Sequence, residues 1–514
     1  MPVIRRLRDR LRESGGFAMI TVMGVMMVGG LLVAGAYAAS DGDISLARND
    51  QDRRAAYAAA EAGLNVYTYH LNQDNGYWAR CTNVPPPNAS EPSAVNQPWN
   101  GTGADPRSWR TLSGTTAQWT TELLPANGYA QCQESQAQAS MVDDATGAVR
   151  IRTTGRVGKS KRSIIATFRR RSFIDYIYFT DFETADPVTY GDSSSIAWAS
   201  ANCAKWWRQG RNASCSRIQF ANEDVVAGPF HTNDDILTCG APTFGRSRAD
   251  VVEVSAPDPG YRTNCGSVTP NFVGTWTTSA PTLTLPPSNA TLNSLAGARF
   301  TGTTKIVLNG ANMTVTGPTG AVSTVAIPAN GIIYVQSGSC GSSGYNIAQS
   351  YTTPTGCGDV WVRGSTSRSV TIAADNDVIV NGDITRSGDV LVGLIANNFV
   401  RIYHPVSGND GQSCSNSTGT MQNVTVEAAI LALQHSFIVD NYYCGARLGT
   451  LTVTGAIAQK FRGPVGTSGG SGGTGYTKSY NYDDRLRYRE PPSFLDPVQV
   501  SWRVVRQTEQ VPPR

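Results

Sequence analysis

The chain has 514 residues, with 43 Lys and Arg against 39 Asp and Glu, a formal net charge of +4 and only 16 % charged side chains. That balance excludes a polyelectrolyte tail and a protein that binds nucleic acid through its overall charge. With 52 glycines and many Thr, Ser, Asn and Val, it describes a mainly β exterior protein, long enough for two or three folded units.

The N-terminal segment 1–16 is a basic leader. Arg5, Arg6, Arg8, Arg10 and Arg12 crowd it, and Gly15-Gly16-Phe17 closes it. From Phe17 to Ala39 no side chain is charged. As a helix that run is about 34 Å long at ~1.5 Å per residue, enough for a hydrocarbon core of ~30 Å. The arginines hold the leader in the cytoplasm, so the residues after Ser40 lie beyond the membrane. A cleaved signal peptide requires a shorter apolar centre, although Ala36-Tyr37-Ala38 would supply its cleavage site. A plain signal anchor gives Gly15-Gly16-Phe17 no role. A prepilin-type leader, cut between Gly16 and Phe17, accounts for both features.

Alanine-rich sequence follows, with no proline between Val3 and Val84, which predicts one helix from Phe17 to about Leu71. Its first half is apolar and its second amphipathic. Gly24, Gly29, Gly30 and Gly35 stripe the first half and permit close helix–helix approach. The second half ends in Ala59-Ala60-Glu61-Ala62-Gly63-Leu64. With the leader, this stretch resembles the N-terminal region of type IV pilins and pseudopilins, particularly the PilX-like minor pilins.

The resemblance covers the first ~70 residues. It implies a prepilin peptidase acting at Gly16 and Phe17, and other pilins or pseudopilins as partners through the helix. Major pilins of that family carry a glutamate at the fifth position of the mature chain. Here that position is Thr21, which cannot pair with a charge, and this favours a minor, initiating or tip-located subunit over the repeating one.

Beyond the helix at 17–72, composition divides the chain into four stretches. Residues 73–185 form a linker rich in Pro, Asn and Trp, followed by alternating strands. Val149–Thr153 and Ser163–Phe168 are joined by the turn Val157-Gly158-Lys159-Ser160 as a hairpin. Residues 186–290 are a disulfide-containing β region. In residues 291–462, short Val/Ile strands recur between Gly, Asn and Asp turns, often just after Asn376-Asp377- or Asn397-Asn398-like pairs. A parallel β-solenoid fits this pattern, because each coil buries its apolar face only on the next. The irregular spacing leaves a β-sandwich open. Residues 463–514 contain a Gly/Ser-rich loop and a final strand, Val498–Val505. The fold class is thus α+β: a long N-terminal pilin-like helix and a mainly β ectodomain.

All ten cysteines follow the apolar run. As sequence neighbours they pair Cys81 with Cys132, Cys203 with Cys215, Cys239 with Cys265, Cys340 with Cys357, and Cys414 with Cys444. This is one hypothesis among many connectivities, in an oxidising compartment. No Cys/His spacing suits zinc.

No catalytic motif stands out among the four histidines, and neither cofactor nor metal is implied. The segment Gly228–Asp235 around His231 has the letters of a Ca²⁺ site but equally those of a polar turn. His70, at the helix end, reads as solvated. Two binding candidates remain. The hairpin concentrates Arg150, Arg152, Arg156, Lys159, Lys161, Arg162, Arg169, Arg170 and Arg171, a patch for DNA, another polyanion or a surface glycan, or else for an acidic neighbour. The Cys203–Cys215 loop displays Lys205-Trp206-Trp207-Arg208, suited to stacking on sugars or bases, or to filling a small core. The expected role is that of a non-enzymatic minor pilin component acting in filament assembly, tip display or adhesion at a bacterial cell surface or pilus. The alternative is a membrane-anchored β-solenoid adhesin or carbohydrate-active enzyme outside any filament.

Overall fold

The computed structural model describes residues 17–74, 77–81, 109–143, 148–170, 172–222, 224–340, 355–408, 414–467, 472–487, 489–498 and 502–514. The leader with Gly16, Arg171, and part of the Gly/Ser-rich loop lie outside the described residues, as do the side chains of 17–18, 36–46 and Arg170. The protein is mostly β, and its chain forms two compact units.

Unit 1 comprises residues 1–144, 148–169 and 502–514. The proline-free, alanine-rich stretch forms a single helix, α1, Phe17–Gln73, about 85 Å long. Its second half buries Ala56, Ala60, Leu64, Tyr67 and Leu71, a stripe at helical spacing. That stripe lies on a sheet of β1 (Arg110–Thr111), β2 (Gln118–Leu124), β3 (Val142–Asp143), β4 (Ala148–Val157) and β5 (Ser160–Arg170), completed beside β5 by Trp502–Gln510. Strands β4 and β5 pair antiparallel across a two-residue turn, with Val157 opposite Ser160. Gly158 sits in that turn at φ 54°, where a side chain would be strained. Val149, Ile151, Ile164, Ala166 and Phe168 form the buried face with Tyr67 and Leu71. Helix and sheet touch through backbone at Gly155, where an added Cβ would stand 1.9 Å from the Ala56 carbonyl oxygen.

Unit 2 comprises residues 145–147 and 170–501. Most of its strands pair in parallel, one rung on the next, while Thr304–Gly310, Asn312–Thr316 and Val322–Ala326 form an antiparallel excursion. One stack of aligned side chains runs Ala298, Ile333, Ile372, Leu394, Ile430, Ile457, Tyr178, Phe230, Val252, Trp276. A second runs Ile306, Val362, Val380, Ile402, Val439. Most of these rungs are covered by neighbours on both sides, and their aligned side chains are accordingly mainly aliphatic or aromatic. At one corner Asn398 donates to Asn376, which donates to Asp359, so the Asn and Asp residues ahead of the strands hydrogen-bond to one another along the stack.

Rung order does not follow chain order. The chain starts at Tyr178–Phe182, proceeds through Phe230–Thr232 and Val251–Val254 to Thr275–Thr277, and resumes at the opposite end with Ala298–Thr301. It then works back, until Thr450–Phe461 pairs with Tyr178–Phe182. That pairing is a seam between two stacks built from opposite ends. The parallel rungs therefore include residues 178–277 as well as the 291–462 stretch. The compact units also cut the chain at other points than composition does, because β4, β5 and Trp502–Gln510 belong with α1.

Candidate functional site

Three features of the described surface bear on function. The first is the front half of α1. Met19, Ile20, Val22, Met23, Val25, Met26, Met27, Val28, Leu31, Leu32 and Val33 are each 53–72 % exposed, on all sides of the helix. A contiguous apolar surface of this kind marks a site that something else covers. Thr21 is exposed within it, and an added methyl at Gly24, Gly29 or Gly30 would meet nothing within 4 Å. Among the described residues no helix is long and apolar enough to cross a membrane; the described side chains of this run span 19–35. Glu61 is exposed on the second half of α1. His70 is buried, 3 % exposed, with its ring 5.2 Å from that of Tyr77, because the 3₁₀ turn Tyr77–Ala79 folds back over the helix end.

The second feature is the hairpin β4–β5. Arg152 bonds Gln510 Oε1 at 2.7 Å and pairs with Glu122 at 3.4 Å. Arg162 pairs with Glu509. Arg156 bonds Gln118 at 2.8 Å and lies 3.9 Å over the Trp109 ring. Arg169 is buried. Three of these basic side chains, Arg152, Arg156 and Arg162, are thus engaged by β2 and by Trp502–Gln510, residues far away in the sequence. Arg150 and Lys159 are exposed and Lys161 is half-buried, a smaller positive surface than the residue count implies.

The third feature is the loop closed by Cys203–Cys215 in unit 2. The short helix Ser193–Asn202 is capped by the Asp192 carboxylate, which accepts from the backbone N–H of Ser194 and Ser195, the preferred way to satisfy its free donors. The turn Trp207–Gln209 ends at Gly210 in the left-handed region, φ 80°. It places Trp207 N–H 2.7 Å from Asp234 Oδ1, while Arg211 pairs with the other oxygen of the same carboxylate. Trp206 Nε1 donates to Asp181 at 3.0 Å. Arg208 lies 4.3 Å over Trp206, and Arg262 lies 3.7 Å over Trp207. Each indole therefore already carries a guanidinium on one face, a cation–π arrangement. Both rings and Lys205 are half-buried. Burial holds the Asp181 and Asp235 carboxyls above their ordinary range, and that of Glu183 too, where Arg462 partly offsets it.

His231 is fully buried beside this loop. Its Nδ1 faces Glu253 Oε1 at 2.8 Å and its Nε2 faces Asn233 Oδ1 at 3.1 Å, so both ring nitrogens are taken up by protein oxygens. Tyr176 donates to the same Glu253 oxygen at 2.6 Å. Among the described residues no group of three His, Cys, Asp or Glu is placed to hold a metal ion.

The disulfides are Cys81–Cys132, Cys203–Cys215, Cys239–Cys265, Cys340–Cys357 and Cys414–Cys444. They fit an extracellular protein.

No protein-family model matches the chain. No curated protein matches it either. Among solved structures, a crystal structure of the competence-associated pilin ComZ from Thermus thermophilus is similar at 12 % identity, covering 90 % of this chain and 98 % of that one, with a TM-score of 0.27. At that score the likeness carries no argument about fold or role.

Proposed function

We propose that this chain is a minor pilin-like subunit of a type IV pilus or a related secretion filament. A prepilin peptidase removes residues 1–16 at Gly16–Phe17, and the front of α1 stays in the membrane. That helix then moves into a filament core by packing on other pilin helices. Unit 2, read as a disulfide-stapled β-solenoid, is displayed on the outside for adhesion or to start assembly. No chemistry is assigned to it.

The observation that carries the reading is the division of α1. Its second half seats a narrow stripe on its own sheet, while its first half shows apolar side chains on every face. Burying each of those side chains favours association by ~1.5–3 kcal/mol, and either a bilayer or a bundle of like helices does so. Gly24, Gly29 and Gly30 allow the close approach such a bundle needs. Thr21 supplies no carboxylate for a neighbour's N-terminal amine, which supports a subunit present in few copies.

Coexpression with a prepilin peptidase, followed by N-terminal sequencing, tests the proposal. The expected mature chain begins at Phe17. Retention of Met1, or cleavage after Ala38, would overturn it.

A further inference from the structure

Beneath the Cys203–Cys215 loop lies a cleft whose charge the filament reading leaves unused. Glu183, Thr184, Trp207, Arg211, Arg217 and Arg262 line this shallow, open cleft. Three guanidiniums and the Glu183 carboxylate line it, with the Asp234 and Asp235 carboxylates close to Arg211 and Arg262. Glu183 is taken by Arg462 at 3.0 Å, and Arg211 by Asp234. Among the described residues Arg217 makes only long contacts to neutral oxygens, 3.4 Å to Asn264 and 3.3 Å to the Ala213 carbonyl. Arg262 lies on Trp207, and among the described residues its buried Nε has no hydrogen-bond acceptor. Asp235 acts on Arg262 through space without an ion pair among the described residues. Asp234 and Asp235 offset the charge of Arg211 and Arg262 in part, and the exposed Arg217 adds a positive charge that an anion at the cleft mouth would neutralise. Burial and the proximity of Arg211 hold the Arg262 guanidinium below its ordinary value.

We propose that this cleft binds a tetrahedral oxyanion, a phosphate or sulfate group, between Arg217 and Arg262. A guanidinium fork matches two oxygens of such a group, and each charge-assisted bond is about twice as strong as a neutral one. The Arg262 guanidinium already rests 3.7 Å over Trp207, so less side-chain freedom is lost on binding. Nothing in this assignment depends on α1, since every lining residue belongs to unit 2.

The test is isothermal titration of the full-length chain in detergent with inorganic phosphate, inorganic sulfate and methyl phosphate. Millimolar or tighter binding is expected, weakening as sodium chloride rises. Tighter binding of methyl phosphate than of phosphate assigns the site to a group carried on a larger molecule, and the reverse to the free ion. Arg262→Gln and Arg217→Gln should each lower affinity roughly ten- to a hundredfold, the loss of a hydrogen bond to a charged group. Arg150→Gln, on the hairpin, should leave it unchanged. Arg217 is exposed, so its variant keeps the test open if Arg262→Gln fails to fold. Absence of heat for all three anions, or wild-type affinity in Arg217→Gln, would overturn the assignment. Neither result bears on cleavage at Phe17.

Discussion

Replacing Arg462 by Met should open the seam at which the two stacks of unit 2 meet. Arg462 lies just past Phe461, which pairs with Phe182 across that seam, and it is 3 % exposed. Its Nη1 pairs with Glu183 Oε2 at 3.0 Å, its Nη2 donates to the Gln219 carbonyl at 3.2 Å, and its guanidinium lies 3.6 Å over Phe220. Removing one member of a buried ion pair costs about 3–5 kcal/mol, because the other is left as an uncompensated charge. The orphaned carbonyl adds roughly 1 kcal/mol. The sum, about 4–6 kcal/mol, is a large fraction of the ~5–15 kcal/mol that holds a typical protein folded. The partner change Glu183→Gln removes the orphaned charge, so the double variant should recover most of the ion-pair cost and the cycle should be strongly non-additive. Urea unfolding of the full chain with disulfides intact, followed by near-ultraviolet circular dichroism, measures all four members of the cycle. A loss below about 1 kcal/mol in Arg462→Met, or strict additivity in the double variant, would refute the seam argument.

Two further outcomes follow from other contacts. Gly155→Ala should lift α1 from its sheet, since its Cβ would fall 1.9 Å from the Ala56 oxygen; the cost should reach or exceed the ~1–3 kcal/mol typical of overpacking. Amide exchange at Ala56–Ala60 reads this directly, and unchanged protection there would count against it. The Asp181 carboxyl, raised by burial, binds its proton more tightly in the folded chain than in the unfolded one. Its contribution is full below the unfolded value and is lost as pH rises through the folded one. Asp181→Asn keeps an acceptor for Trp206 and Asn233 and should be more stable than wild type at neutral pH, the gap closing toward about pH 4; a pH-independent gap in urea titrations would sink this.

Local chemistry made part of the structure legible. An alanine run without proline announced α1 almost to its last turn, and Gly158 between alternating segments announced the β4–β5 hairpin. What sequence alone could not show was pairing at a distance. Ile457 stacks on Tyr178 because the chain builds its rungs from both ends, and no local signal encodes that jump. The basic hairpin read as a patch because its counter-charges, Glu122 and Glu509, lie on other strands. His70 read as solvated because the turn that covers it, Tyr77–Ala79, lies beyond the helix end. The oxyanion cleft escaped for the same reason: Arg262 joins Trp207 only through folding, and the sole signal was Trp beside Arg in a disulfide loop.

The chain leaves the sheet of unit 1 after β5 and returns to it at Trp502–Gln510, the very next strand. Arg152 and Gln510, 358 residues apart, meet across that junction. Synthesis order therefore matters. The edge strand that finishes the platform under α1 emerges only after the whole intervening insert, so a truncated or stalled chain carries a sheet lacking its last strand. The helix-bearing unit is therefore complete only once unit 2 has been made in full.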